Sequence, residues 1–373
     1  MDALMLPLNW QRVRLGDIGK PCMCKRVMKH QTTRYGEIPF YKIGTFGNTA
    51  DAFISKKLFL EYKTKYSFPK KGDILISASG TIGRAVIYDG KPAYFQDSNI
   101  VWIDNDETLV KNNFLFYAYS NVKWNTEHTT ILRLYNDNFR NTLIPLPPLN
   151  EQNAIANVLS DLDRYLCALD ALILKKEGVK KALSFELLSQ RKRLKGFNQA
   201  WQRVRLGDIA NYLTSNLSVE QITQQGEIKV YDVNNFIGYT DTTFISDKPY
   251  ISIVKDGSVG RVRILPPKTN ILSTMGALIA NHRTTTEFLF YLLSNFDFKN
   301  FTSGSIIPHI YFKDYKEKTI FLPPLNEQSA IANILSGLDN EIASLKNKKR
   351  QFENIKKALN HDLMSAKIRV LKQ

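Results

Sequence analysis

Leu146-Pro147-Pro148-Leu149-Asn150-Glu151-Gln152 opens a long helix-patterned stretch, and the chain writes the same seven residues again at Leu322-Pro323-Pro324-Leu325-Asn326-Glu327-Gln328. Downstream the two copies stay in register. Ile155, Val158, Leu159, Leu162, Leu166 and Leu169 are answered by Ile331, Ile334, Leu335, Leu338, Ile342 and Leu345, each 176 residues on, and the offset still holds at Arg193 and Arg369. Apolar steps of three and four mark the stripe of an amphipathic helix close to a heptad seam. The prolines stop whatever comes before, Asn150 and Asn326 are placed to cap, and Glu151 and Glu327 set negative charge on the first turn. Helical from Asn150 to Lys195, one such segment would be roughly 69 Å long at 1.5 Å per residue. A helix of that length cannot bury its stripe alone, so the simplest solution packs the two copies against each other, antiparallel, as a spacer. Gly178, matched by Asn354, is where the helix is expected to bend or weaken.

A second repeat frames the rest. Trp10-Gln11-Arg12-Val13-Arg14-Leu15-Gly16-Asp17-Ile18 recurs word for word from Trp201 to Ile209, at an offset of 191. The chain is therefore two tandem halves, each a globular block followed by a long helix: 1–145 and 146–196, then 197–321 and 322–373. Because the offset falls from 191 to 176, the first block is 15 residues longer. Between these landmarks the blocks diverge, sharing Gly36-Glu37-Ile38 with Gly226-Glu227-Ile228, Tyr41 with Tyr231, and Gly80-Thr81-Ile82-Gly83-Arg84 with Gly257-Ser258-Val259-Gly260-Arg261. Strands flank each glycine loop, at 73–76 and 85–88 and again at 251–254 and 262–264. Val110 to Val122 and Thr285 to Phe296 read as helices whose aromatic faces suit a core better than a base stack. The fold class is α+β: two β-rich globular domains separated by an antiparallel two-helix coiled coil, with pseudo-two-fold internal repetition.

Charge narrows the partners. Lys and Arg number 51 against 35 Asp and Glu, a net charge of +16, which points to a polyanion and first of all to nucleic acid. Three cysteines build no disulfide framework, so a reducing cytoplasm fits. Cys22-x-Cys24 with His30 lacks a second pair, and the repeat copy has no cysteine there, which argues against zinc. No apolar run reaches the length of a membrane span and the N-terminus shows no signal-peptide pattern.

Catalytic signatures are missing. There is no phosphate-binding loop of the nucleotide-motor type, no Asn-Pro-Pro-aromatic methyltransferase motif, no metalloprotease motif and no nucleophile elbow. Asp208 with Glu227-x-Lys229 loosely echoes a nuclease site, but the first block carries Asp17, Glu37 and Pro39 at the matching positions. Binding candidates are better. Glycine loops let backbone N–H groups approach a phosphate and their arginines add charge, so Ser79, Thr81 and Arg84, with Ser258 and Arg261, are candidate DNA contacts. A plain hairpin turn is the structural alternative. Lys25, Arg26, Lys29 and Arg34 form a cationic loop, read either as a solvated face or as phosphate contacts. The matching stretch of the second half has fewer cations and more amides, and Tyr41, Tyr231, Asn234 and Asn235 complete the candidate DNA-binding set. The basic residues late in each helix, such as Lys175, Lys176, Lys180 and Lys181, face either phosphates, an acidic partner or water.

Two variable blocks alternating with two helical repeats, each introduced by Leu-Pro-Pro-Leu-Asn-Glu-Gln, resemble the specificity subunit of type I restriction–modification systems along essentially the whole chain. That resemblance implies that each block is a target recognition domain reading one half of a bipartite duplex DNA sequence. It implies that the helices form the spacer and dock two methyltransferase subunits, with Glu151, Gln152, Leu162, Leu166, Glu327, Gln328, Leu338 and Ile342 as docking or spacer residues, and that restriction/translocase subunits join for cleavage. No cofactor or metal is expected on this chain; S-adenosylmethionine, ATP and magnesium belong to the partner subunits, and no catalysis belongs here. Two other classes remain open at this point: a stand-alone DNA-cleaving enzyme, and a non-specific nucleic-acid-binding coiled-coil protein.

Overall fold

A computed structural model of the chain describes residues 7–128 and 132–371. The first six residues, assigned above to the first block, and the last two, assigned to the second helical segment, lie outside the described residues. The chain divides into two compact units, Met1–Leu169 with Lys348–Gln373, and Asp170–Asn347. Each unit takes one globular block and half of each long helix.

The long helices are Leu149–Leu188 and Leu325–Met364, 40 residues apiece. At 1.5 Å per residue each is roughly 60 Å long, shorter than the repeat suggests. Both stop the same way. Gln190 and Ala366, matched positions, turn left-handed at φ +60° and +57°. Lys192 N–H then reaches back to Glu186 C=O and Ile368 N–H to Asp362 C=O, covering carbonyls left over at each C-terminus. The starts differ from the expected asparagine cap. Pro148 C=O accepts the N–H groups of Glu151 and Gln152, and Pro324 C=O that of Gln328, all at 2.9 Å. The helices therefore begin at the leucine before each asparagine; Asn326 sits inside the first turn, where its side chain accepts Glu327 N–H at 2.9 Å. Gly178 lies within the unbroken first helix, contrary to the expected weak point.

Antiparallel pairing of the helices is seen within each unit. In the first, Arg369 pairs with Glu151, Lys356 with Asp163, and the Phe352 ring lies 4.7 Å from that of Tyr165. In the second, Arg193 pairs with Glu327, Lys180 with Asp339, and Lys176 with Glu341 at 2.7 Å. As one residue number rises, its partner's falls.

The two blocks repeat each other strand for strand. An antiparallel four-stranded sheet runs Gly19–Met23, Ile100–Asn105, Ile74–Ser77, Ala85–Ile87 in the first block, and Ala210–Thr214, Met275–Ala280, Tyr250–Val254, Val262–Leu265 in the second. Every residue of Ile74–Ser77 and Tyr250–Val254 is buried, as expected of strands covered on both faces. A three-stranded sheet follows in each: Ile38–Tyr41 and Ile228–Tyr231 sit centrally, antiparallel to one neighbour and parallel to the other. The helix Lys56–Lys65 is present in the first block alone among the described residues, and it accounts for most of that block's extra length.

What the exact nonapeptide repeat does is now plain. Gln11–Arg14 pairs with Leu143–Leu146, and Gln202–Arg205 with Thr319–Leu322, so the start of each block is zipped antiparallel to its end just before the helix begins. Block and helices then share one core. Trp10, Phe114 and Ile144 pack with Ile155 and Leu159 of the first helix and Leu363 of the second; Trp201, Phe288 and Ile320 pack with Ile331, Leu335 and Leu187. Phe114 and Phe288 are fully buried, so the aromatic faces of Asn112–Tyr119 and Thr286–Ser294 serve the core.

Candidate nucleic-acid interface

In each block the glycine loop leaves a core strand and returns along its neighbour. Gly80 and Gly83 stand at φ +64° and +82°, Gly257 and Gly260 at +83° and +79°. The second glycine of each pair is also required by contact: a Cβ at Gly83 would lie 2.0 Å from Trp124 Nε1, and one at Gly260 would lie 2.5 Å from Phe298. Gly83→Val should therefore destabilise the first unit by about 2 kcal/mol or more, from left-handed backbone and displaced Trp124 together; a melting curve matching wild type would show the loop to be more pliable than this. Thr81 and Ser258 are exposed at the loop tips. Ser79, by contrast, is 9% exposed and donates its hydroxyl to Asn99 at 2.8 Å, so it holds the loop and does not present itself to a ligand. Arg84 and Arg261 are exposed residues tethered at one end, Arg84 to Phe46 C=O and Arg261 to the Asn234 side chain, both at 2.9 Å. Tethered guanidiniums with free N–H groups are oriented donors for phosphate or guanine.

The four cations of the first block's loop are exposed, but they are differently committed. Arg26 is paired with Asp97 at 2.8 Å and Lys25 lies 5.1 Å over the Tyr66 ring. Among the described residues no ion pair involves Lys29 or Arg34. Tyr41 is half-buried, and its ring stacks on Phe95 at 5.8 Å against the block's inner cluster. Tyr231 is half-buried, with the Arg263 guanidinium 5.2 Å over its ring. Asn234 and Asn235 are exposed, in a turn held by Asp232, which accepts both their N–H groups at 2.7 and 2.6 Å. The structure thus brings Asn234, Arg261 and Arg263 together, since Arg263 also donates to Asn234 C=O at 3.0 Å.

The expected docking residues divide sharply. Glu151 and Gln152 are 2% and 1% exposed, and Glu327 and Gln328 are wholly buried. They clasp each block to its helices. Trp10 Nε1–H donates to Glu151 and Trp201 Nε1–H to Glu327, each at 3.0 Å, while Arg369 and Arg193 grip the same carboxylates with two N–H groups. Gln152 accepts Lys111 N–H at 2.8 Å and donates to Leu109 and Pro147 carbonyls; Gln328 accepts Thr285 N–H at 3.0 Å and donates to Arg283 and Pro323. A partner cannot reach these four side chains. Leu162, Leu166 and Leu338 are half-buried and Ile342 is 7% exposed. Sequence reasoning missed the roles of the tryptophan and arginine of this clasp, although the tryptophans stand in an exact repeat and the arginines at matched positions. It also missed a second repeated contact, Tyr117–Asp163–Lys356 and Tyr291–Asp339–Lys180, in which each tyrosine donates to its aspartate at 2.8 Å.

Asp208 is taken by Arg205, which holds its carboxyl below the usual range through the side-chain hydrogen bond, while Glu227 lies just before the strand Ile228–Tyr231 and its N–H is held by Asp241. Cys24 is buried in the first block's inner cluster, where desolvation pushes its thiol up to about 12. Among the described residues no group of three His, Cys, Asp or Glu could hold a metal, and no helix is long and apolar enough to cross a membrane.

Two like blocks, each with a glycine loop that carries an arginine and each clasped to a helix pair, define a modular two-fold repeat. The chain belongs to the type I restriction modification DNA specificity domain family, whose model matches it twice, over residues 7–176 and 198–354. It is thus a specificity subunit, the DNA-recognising and non-catalytic component of a type I restriction–modification system. Among named relatives, a type I specificity subunit of Haemophilus influenzae is 61% identical over 152 residues, 40% of each chain. The MjaVIII specificity subunit of Methanocaldococcus jannaschii is 25% identical over 414 aligned positions, covering 99% of this chain and 95% of that one. The crystal structure of the type I system S subunit from M. genitalium shares the fold, with a TM-score of 0.63 at 20% identity, over 97% of this chain and 98% of that one.

Proposed function

We propose that each globular block reads one half of a bipartite, gapped sequence in duplex DNA, and that the paired helices set the gap and dock two methyltransferase subunits. The observation that carries this is the pattern of what is kept. Both blocks have the same sheets and both helices have 40 residues, while the loops facing solvent differ in length and chemistry. A common frame with unlike loops suits two readers of unlike words. Lys29, Arg34 and Arg84 in the first block supply charge for phosphates; Asn234, Asn235 and Arg261 in the second supply donors and acceptors for base edges. The net charge of +16 favours the same partner.

Docking is better assigned to apolar residues than to the buried clasp. Leu149 and Leu325, Val158 and Ile334, and Val179 and Ile355 are matched at the helical offset and each is 36–50% exposed. One kind of partner surface could meet each set equivalently, which is what two methyltransferase subunits require. Those subunits would carry S-adenosylmethionine chemistry, and restriction/translocase subunits would bring ATP and magnesium, all acting on DNA in the cytoplasm.

Exchanging residues 19–133 for the matching block of another such subunit tests the reading. Mapping methylated adenines genome-wide should show one half-site changed and the other kept. Two altered halves, or none, would end the modular account.

A further inference from the structure

We propose that the hairpin tip Gly304-Ser305-Ile306-Ile307-Pro308 of the second block enters the DNA major groove and reads thymine through its C5-methyl group. This rests on the reading of the second block as a DNA reader and names what one of its elements recognises.

Ile306 is 92% exposed and Ile307 55%, a pair of large apolar side chains side by side at the end of a two-stranded ribbon, Thr302–Ser303 with His309–Ile310. Folding gains nothing from leaving them in water. The tip is also held in shape. Gly304 stands at φ +93°, and a Cβ there would lie 2.2 Å from Ile307 C=O, so glycine is required for the chain to close on itself. The ribbon is stitched to the glycine loop beside it: Gly257 N–H donates to Pro308 C=O and Ile310 N–H to Lys255 C=O, both at 2.9 Å, and the His309 ring meets the Asp256 carboxylate at 2.7 Å. The apolar tip and the loop that carries Arg261 therefore move as one piece.

Charge selects the occupant. From Lys299 to Lys313 the chain carries two lysines and no carboxylate, with Asp297 and Asp314 just outside that span and the Asp256 carboxylate taken by His309. Tyr311 is 49% exposed with Lys313 Nζ 5.6 Å over its ring. An apolar tip stitched to a loop that carries Arg261 fits a duplex, where phosphates lie along the groove edges and the thymine methyl is the one apolar group on its floor. The major groove is wide enough to admit a two-stranded ribbon. The first block builds the same stitch, with Leu134 N–H on Ala78 C=O at 2.9 Å, but its tip, 129–131, lies outside the described residues.

The test uses the complete complex with its methyltransferase subunits. Wild type and the Ile306→Ser/Ile307→Ser variant are titrated against the cognate duplex, and against duplexes in which each thymine of the second half-site is replaced in turn by deoxyuridine. Wild type should lose about tenfold in affinity at one or two positions, the loss expected for one missing methyl in an apolar contact. The variant should bind the thymine duplex about as weakly as wild type binds the deoxyuridine one, with no further loss on substitution and an unchanged salt slope, since no phosphate contact is removed. Wild-type affinity and deoxyuridine sensitivity in the variant, or a half-site with no sensitive thymine, overturns the proposal. So does failure of the variant to assemble with the methyltransferase subunits, because the tip would then be a protein contact. Ile306→Ser alone, at the more exposed position, repeats the measurement should the double variant melt early. Exchanging residues 210–318 in the same assay separates the two levels: an unchanged second half-site there refutes the reading of the block itself.

Discussion

Arg193→Met is expected to cost the second unit more stability than any neighbouring surface change, because it leaves the buried Glu327 carboxylate without its ion partner. Glu327 is fully buried, and apart from Arg193 its side chain is held by the Trp201 indole N–H. Glu327→Gln should cost less, since the arginine left behind is 26% exposed and can turn to water. The double variant Arg193→Met/Glu327→Met should recover much of the loss, because a buried ion pair replaced by apolar groups is often neutral. Urea unfolding followed by tryptophan fluorescence reports it directly, with Trp201 in the clasp. Arg369, Glu151 and Trp10 give an independent copy in the first unit, and the same ranking should hold there. Equal losses for Arg193→Met and Glu327→Gln would show that the buried charge is not what matters.

Lengthening the helices should move the half-sites apart, but only when both helices are lengthened. Four residues added after Leu169 and four after Lys349 extend the pair by one turn, about 6 Å, or one to two base pairs of gap at 3.4 Å each. Four residues also keep the apolar seam nearly in phase. Four residues in the first helix alone would slide it past its partner, so that Lys176–Glu341 and Lys180–Asp339 could not both persist with Lys356–Asp163. The single insertion should fail to assemble and the paired one should methylate sites with the longer gap. An unchanged gap in the paired variant would remove the helices from that role.

The repeats were legible because periodicity survives in one dimension. The 176 offset located both helices, and the nonapeptide copy located both blocks. Burial was not legible. Glu151 and Gln152 look like ordinary first-turn residues of an exposed helix, and nothing local says that Trp10, 141 residues away in sequence, closes over one of them. For the same reason Ser79 reads as a surface contact and is loop support. The Ile306–Ile307 tip went unnoticed because two isoleucines in a row resemble a strand interior until the ribbon around them is seen to end there.

By itself the sequence determined that this protein is two halves on one plan, with helices of equal length and a charge suited to DNA, since composition and period are properties of the chain alone. Only the tertiary structure decided which repeated residues bind the halves together and which are left for a partner. That division depends on contacts between segments far apart in the chain, where a carboxylate becomes a buried anchor or an exposed handle according to what folds over it.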